Sequence, residues 1–142
     1  MAAKVRFEDV EEGQEVFSVS KLVKREDVKA YADASGDQNP LHQDDNFARS
    51  VGFPGIIAHG MFSMAHLTNS LTDWVGDPGA LRRIKVQFRA PVFMDETLVA
   101  KGKIQSLDPE TKTATLSVSA EVDRAGETQW AIKNSQAVVQ LA

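Results

Sequence analysis

Cysteine is missing altogether, and with it go disulfides, thiolate metal sites, iron–sulfur clusters and a thiol nucleophile. A basic surplus is missing too. The chain carries 16 Lys+Arg against 20 Asp+Glu, a net charge of −4. Proteins that bind DNA or RNA gather excess positive charge on one face, so nucleic acid is not an expected partner. Uninterrupted apolar stretches are only a few residues long, too short for a transmembrane helix, so a membrane is not expected either. The opening segment Met1-Ala2-Ala3-Lys4-Val5-Arg6-Phe7-Glu8-Asp9 lacks the apolar core of a signal peptide, which makes the cytosol the expected compartment. Histidine is scarce, with three in 142 residues. His59 and His66 raise the question of a metal, but no His-Glu-x-x-His pattern completes a ligand set, so no metal site is expected.

What is present is a globular composition, 42% apolar, over a length of about one domain. Residues 1–142 therefore read as a single domain. At this size, roughly two-thirds of the unfolded surface can be buried. There is no repeat, low-complexity run or linker.

Periodicity divides the chain into elements. Glu15–Ser20 alternates and reads as a strand. Over about 25–35, Val28, Tyr31, Ala32 and Ser35 fall at i, i+3, i+4 and i+7 and predict a helix with one buried stripe, stopped by Gly36. A loop rich in Asp, Asn and Pro follows, with one helical turn over Asp44–Arg49 and a short extended piece, Ile56-Ile57-Ala58. From about His59 to Val75 a longer helix is apolar over most of its girth, the mark of a helix wrapped by other structure. Its expected core stripe is Met61, Met64/Ala65, Thr68, Leu71 and Val75, with Phe62, Leu67 and Trp74 adding apolar surface elsewhere. The remainder reads as strands only: Leu81–Pro91, Glu96–Leu107, Lys112–Asp123 and Glu127–Leu141. Strands joined by short turns pair antiparallel. The expected architecture is α+β, one antiparallel sheet around one long buried helix, with a smaller helix beside it.

Two stretches carry chemistry. In Ser35-Gly36-Asp37-Gln38-Asn39-Pro40-Leu41-His42, Asp37 and His42 stand five residues apart. That spacing separates them on a helix and puts them on opposite faces of a strand, so they converge only if the chain bends. Gly36 and Pro40 supply bends. A carboxylate and an imidazole brought together there could hold one water, which is general acid–base equipment. The plainer alternative is a turn-forming Asp beside a surface His, with Ser35 and Asn39 making turn hydrogen bonds. In Ala58-His59-Gly60-Met61, Gly60 opens the long helix, where the first N–H groups lack internal partners and carry the positive end of the dipole. Its N–H is a candidate oxyanion donor; the alternative is that Gly60 only permits close packing.

A third feature is basic. Arg83, Lys85, Gln87 and Arg89 would share one face of the Leu81–Pro91 strand, with Ile84, Val86 and Phe88 on the other. This is either a solvated face or a small anion site.

Tyr31-Ala32-Asp33-Ala34-Ser35-Gly36-Asp37-Gln38-Asn39-Pro40-Leu41-His42 followed by Ile57-Ala58-His59-Gly60-Met61 resembles the MaoC-like (R)-specific enoyl-CoA hydratase family, also called hydratase 2. Phe7-Glu8-Asp9-Val10 with Gly13, and Val86-Gln87-Phe88-Arg89-Ala90-Pro91-Val92, extend the resemblance over nearly the whole chain. Trp74–Ala80 and Asp108–Lys112 are similar to the catalytic beta subunit of actinobacterial (3R)-hydroxyacyl-ACP dehydratases. The resemblance implies a hot-dog fold and a dimer whose sheets join. It also implies reversible syn addition of water to a trans-2-enoyl thioester, giving the (3R)-hydroxyacyl thioester of fatty-acid metabolism, without a cofactor. By position it makes Asp37 and His42 the catalytic pair and the Gly60 N–H the group that polarises the thioester carbonyl. Ser35 and Asn39 support the loop, and Thr68 stands where the family often has a Ser near the Asp.

The substrate is then an acyl-CoA or an acyl-ACP, and the Arg83, Lys85, Arg89 strand could meet the phosphates of the first or the acidic surface of the second. The dimer is of two copies or of this chain with a second hot-dog subunit. One rival reading is a hot-dog thioesterase, which would use a carboxylate on the long helix, where only Asp73, near its far end, is on offer. Another is a non-catalytic hot-dog subunit, a kind that usually lacks the Asp/His pair kept here. A milder form of it is a catalytic subunit that needs a different hot-dog partner.

Overall fold

Alternation and capping decide the elements of the computed structural model, which describes residues 4–142; Met1–Ala3 of the opening segment lie outside the described residues. Strand β1 spans Glu15–Leu22, α1 Arg25–Ser35, α2 Asp45–Ser50 and α3 Gly60–Val75. Strands β2 (Leu81–Lys85), β3 (Thr97–Asp108), β4 (Thr113–Arg124) and β5 (Glu127–Gln140) follow. The strands form one sheet in the order β1-β3-β4-β5-β2, every pair antiparallel, and α3 packs against β1, β3, β4 and β5. This is the helix-wrapping sheet that the resemblance implies.

The inward face of the sheet carries the expected alternation. Leu98, Ala100 and Ile104 of β3 and Ala114, Leu116, Val118, Ala120 and Val122 of β4 are all buried. The alanines among them are small enough to let α3 lie close. Gly102 completes that row, and the ring of Phe17 on the paired strand β1 fills the space where a side chain would stand. Gly36 ends α1 in the left-handed conformation, φ 81°, its N–H donating to Ala32 O. The stripe of α1 is narrower than its spacing suggested: Val28 and Ala32 are buried, Tyr31 is half-buried and Ser35 is exposed.

The buried side of α3 is rotated from the expected stripe. Phe62, Ser63, Leu67, Ser70, Leu71 and Val75 face the core, whereas Met61 is 51% exposed and Thr68 is half-buried. A helix apolar nearly all round has no dominant face for the sequence to reveal; the sheet selects one.

The Leu81–Pro91 strand is also interrupted. Asn134 on β5 adopts φ 53°, the left-handed conformation of a bulge residue. Ladder pairing of β2 stops at Lys85↔Gln136, and Ser135 Oγ accepts the Gln87 N–H at 2.9 Å. Pairing resumes with the Phe88↔Ile132 bridge and the Arg89 N–H to Ala131 O bond, 2.9 Å. In consequence Phe88 is not half-buried as Ile84 and Val86 are. It is 48% exposed and lies against Gly60.

Candidate active site

The loop after α1 is built from its own polar side chains. Ser35 Oγ accepts the Asp37 N–H at 3.2 Å, Asp37 Oδ1 accepts the Asn39 N–H at 3.3 Å, and Asn39 Oδ1 accepts the Leu41 N–H at 2.9 Å. These short-range bonds give the backbone an alternative to helix. The chain then closes into a single 3-10 turn over Pro40–His42. Ser35 and Asn39 thus shape the loop. Gln38 continues the scaffold by donating to Asp33 Oδ1 at 2.9 Å, and that bond, with Lys29 beside it, holds the Asp33 carboxyl below the usual range.

A second segment, 56–60, is tied to this loop. Ile57 N–H donates to Leu41 O at 3.3 Å, and His42 Nδ1 lies 2.7 Å from Ile57 O. A carbonyl oxygen only accepts, so Nδ1 carries the proton and Nε2 of the neutral ring keeps a free lone pair. Asp45, at the start of α2, anchors the same segment: Oδ1 accepts the Ile56 N–H at 3.0 Å and Oδ2 accepts from Arg25 at 2.9 Å. The Ile56 N–H holds the Asp45 carboxyl below the usual aspartate range against the opposing effect of burial, and Arg25 adds to the lowering. On the far side, Ala58 N–H donates to Val92 O at 2.9 Å.

The bends therefore bring Asp37 and His42 together. A carboxylate oxygen of Asp37 and one ring nitrogen each of His42 and His59 lie within 4.8 Å of one another. Two hydrogen bonds of about 2.8 Å to one oxygen span up to about 5 Å, so a single water fits between Asp37 and His42. The imidazoles of His42 and His59 stack at 3.8 Å and 26°.

His42 and Gly60 line one cleft of about 280 Å³, with Phe88 and Arg89 along its wall. His59 occupies the N-cap position of α3 without a side-chain cap bond, so no side chain caps the first-turn N–H groups, Gly60's among them, at the positive end of the helix. Gly60 itself is exposed. Phe88 packs so close that a Cβ at Gly60 would stand 3.2 Å from its Cδ1.

Other expected residues are placed less centrally. Thr68 is half-buried on α3, and no hydrogen bond joins it to Asp37 among the described residues. Arg83, Lys85 and Arg89 are all exposed but do not share one continuous strand face, because of the Asn134 bulge. Arg89 borders the cleft, its guanidinium donating to Gln87 at 2.9 Å, whereas Lys85 borders a separate polar groove on the sheet. Sequence reasoning passed over three contributors: the Ile57 carbonyl, Asp45 and the ring of His59. A histidine inside the otherwise apolar run Ile56-Ile57-Ala58-His59-Gly60-Met61-Phe62 was the available signal for the last, since buried polar groups need a reason to be there.

Among the described residues, no helix is long and apolar enough to cross a membrane. A MaoC-like domain matches residues 6–125. An (R)-specific enoyl-CoA hydratase of Rhodospirillum rubrum is 33% identical over 117 residues, covering 82% of this chain and 81% of that protein. A 3-hydroxybutyryl-CoA dehydratase of Methylorubrum extorquens is 31% identical over 121 residues, 82% of this chain and 74% of that one. Among solved structures, the (R)-hydratase from A. caviae involved in PHA biosynthesis superposes with a TM-score of 0.84 at 28% identity, over 94% of this chain and 98% of that one. The loop that joins Asp37 to His42, the uncapped helix start at Gly60 and a match spanning most of the chain agree: this protein belongs to the MaoC-like domain family.

Proposed function

We propose that this chain catalyses the reversible syn addition of water across the double bond of a trans-2-enoyl thioester, yielding the (3R)-3-hydroxyacyl thioester. The observation that carries this reading is the convergence of Asp37 and His42 beside a cleft into which the uncapped start of α3 opens. The names of the similar proteins, hydratases and dehydratases of CoA thioesters, support it. An enoyl thioester is electrophilic at C3. As the water oxygen bonds to C3, the C2–C3 π pair moves toward the carbonyl and negative charge grows on the thioester oxygen. The Gly60 N–H and the helix dipole answer that charge. Asp37 and His42 hold the water, take up its proton and return a proton to C2, so that H and OH add across the bond from the side on which the pair stands. Water and two side chains suffice, and no cofactor takes part.

The carrier is CoA or ACP, and Arg89 at the cleft wall is the basic residue best placed to meet its phosphates or acidic surface. The working unit is a dimer of two copies or of this chain with a second hot-dog subunit. The edge position of β2 and the exposed Met61 and Phe88 beside the site support an interface there. A hydrolytic reading is less well supported, since Asp73 is exposed in the last turn of α3, at the opposite end from Gly60.

The test is incubation with crotonyl-CoA, following enoyl absorbance and free thiol in parallel. Loss of absorbance without thiol release supports hydration; stoichiometric thiol release refutes it in favour of hydrolysis. The same assay on enoyl-CoAs and matching enoyl-ACPs of graded length assigns the carrier.

A further inference from the structure

Of the buried polar side chains among the described residues, His59 is the one that keeps a polar atom without a hydrogen-bond partner. It is 2% exposed. The ring meets two others: it stacks on His42 at 3.8 Å and 26°, and Tyr31 of α1 lies tilted against it at 4.9 Å and 59°. Tyr31 is itself backed edge-on by Phe62, 5.9 Å away. His59 Nε2 lies 3.1 Å from the main-chain oxygen of Asp37. That oxygen only accepts, so Nε2 donates. Nδ1 is buried with no hydrogen-bond partner among the described residues. The contacts therefore suit one form of the ring, neutral and protonated at Nε2.

This setting is a poor choice for stability alone. Burying an imidazole costs free energy unless its nitrogens are bonded, and here only one of the two is. Against Tyr31 and Phe62 an apolar side chain would cost less. What the imidazole provides is contact with both members of the catalytic pair at once, a face for His42 and an N–H for Asp37. Its own main chain leads straight into Gly60. The titratable groups that meet it are Tyr31 from α1, Asp37 from the loop and His42 from the 3-10 turn.

We infer that His59 is a positioning residue for the hydration. Its ring fixes the plane of the His42 imidazole, while the Ile57 carbonyl fixes that ring's tautomer. Its N–H holds the Asp37 backbone, so the water bound between the two side chains is aimed at C3. In this scheme His59 exchanges no proton with the water. This inference rests on the proposed function, and the two fail differently: activity surviving in Asp37→Asn would refute the hydratase reading, whereas the tests below bear on His59 with Asp37 and His42 intact.

The test compares His59→Leu, which removes both stack and donor, with His59→Gln, which keeps an amide N–H able to reach Asp37 O. Steady-state hydration of crotonyl-CoA is measured across pH, with circular dichroism and melting temperature as controls. A displacement of about 1 Å costs up to roughly 10²-fold in rate. In folded His59→Leu, kcat is expected to fall about 10- to 100-fold with KM nearly unchanged, because His59 does not touch substrate, and the pH midpoint of kcat/KM is expected to move. His59→Gln is expected to recover part of kcat. Wild-type kcat and an unmoved pH profile in folded His59→Leu would overturn the inference. So would a loss seen in KM alone. Should His59→Leu not fold, imidazole ¹⁵N NMR of the wild type decides: a ring protonated at Nε2 alone is expected at neutral pH, and one protonated at Nδ1 would overturn the inference.

Discussion

His42 Nδ1 lies 2.7 Å from the carbonyl oxygen of Ile57, and this one bond decides which nitrogen of the histidine lining the cleft beside Gly60 can accept a proton. The position of that carbonyl is in turn set by Asp45, which receives the N–H of the preceding residue, Ile56, at 3.0 Å. A carboxylate on α2 is thereby linked to the His42 imidazole through two residues of main chain.

Asp45→Ala, which removes the acceptor of the Ile56 N–H, is expected to lower kcat several-fold by loosening the segment that carries the Ile57 carbonyl, with the overall fold retained. It should also change the acid limb of stability. The folded-state value of Asp45 lies below its ordinary one, so the unfolded chain binds the proton more readily. Its contribution is complete above the ordinary aspartate value of about 3.9 and is lost as pH falls below it. Urea midpoints measured from pH 6 downward should therefore drop less steeply in Asp45→Ala than in the wild type, and parallel curves would count against the anchor.

Gly60→Ala places a Cβ 3.2 Å from Phe88 Cδ1. The ring must shift along the cleft wall, and kcat/KM is expected to fall about 10- to 100-fold with little change in melting temperature. Phe88→Leu in the Gly60→Ala background should restore part of the loss. A double-mutant cycle with no coupling would show that the two residues act separately.

The sheet side of the core can be tested at Gly102, whose missing side chain leaves room for the Phe17 ring. Gly102→Ala is expected to cost about 1–3 kcal/mol of unfolding free energy through overpacking. Phe17→Leu alone should also destabilise, yet the pair together should cost less than the sum. Chemical denaturation of the four proteins gives the coupling directly.

Much of this architecture was legible in the chain. The ends of α1 and α3 follow from Gly36 and Gly76 as C-caps, and β4 from clean alternation that the buried row Ala114–Val122 confirms. What failed was tertiary in origin. The break in the Leu81–Pro91 strand comes from Asn134, nearly fifty residues later on its partner strand, and nothing local announces it. The face of α3 was misread at Met61 and Thr68 because the helix is apolar on nearly every side. At the site, the bends at Gly36 and Pro40 made the meeting of Asp37 and His42 readable. The sequence offers His59 only as a metal candidate, because its contacts with Tyr31 and His42 exist only once the loop has folded back on α3.

The central claim, that Asp37 and His42 together activate water for an enoyl thioester, is most directly tested by hydration rates of crotonyl-CoA with Asp37→Asn and His42→Ala beside the wild type. Removing either group is expected to lower kcat by roughly 10²–10⁴-fold, with circular dichroism and melting temperature unchanged. Near-wild-type turnover in either folded variant would contradict the account.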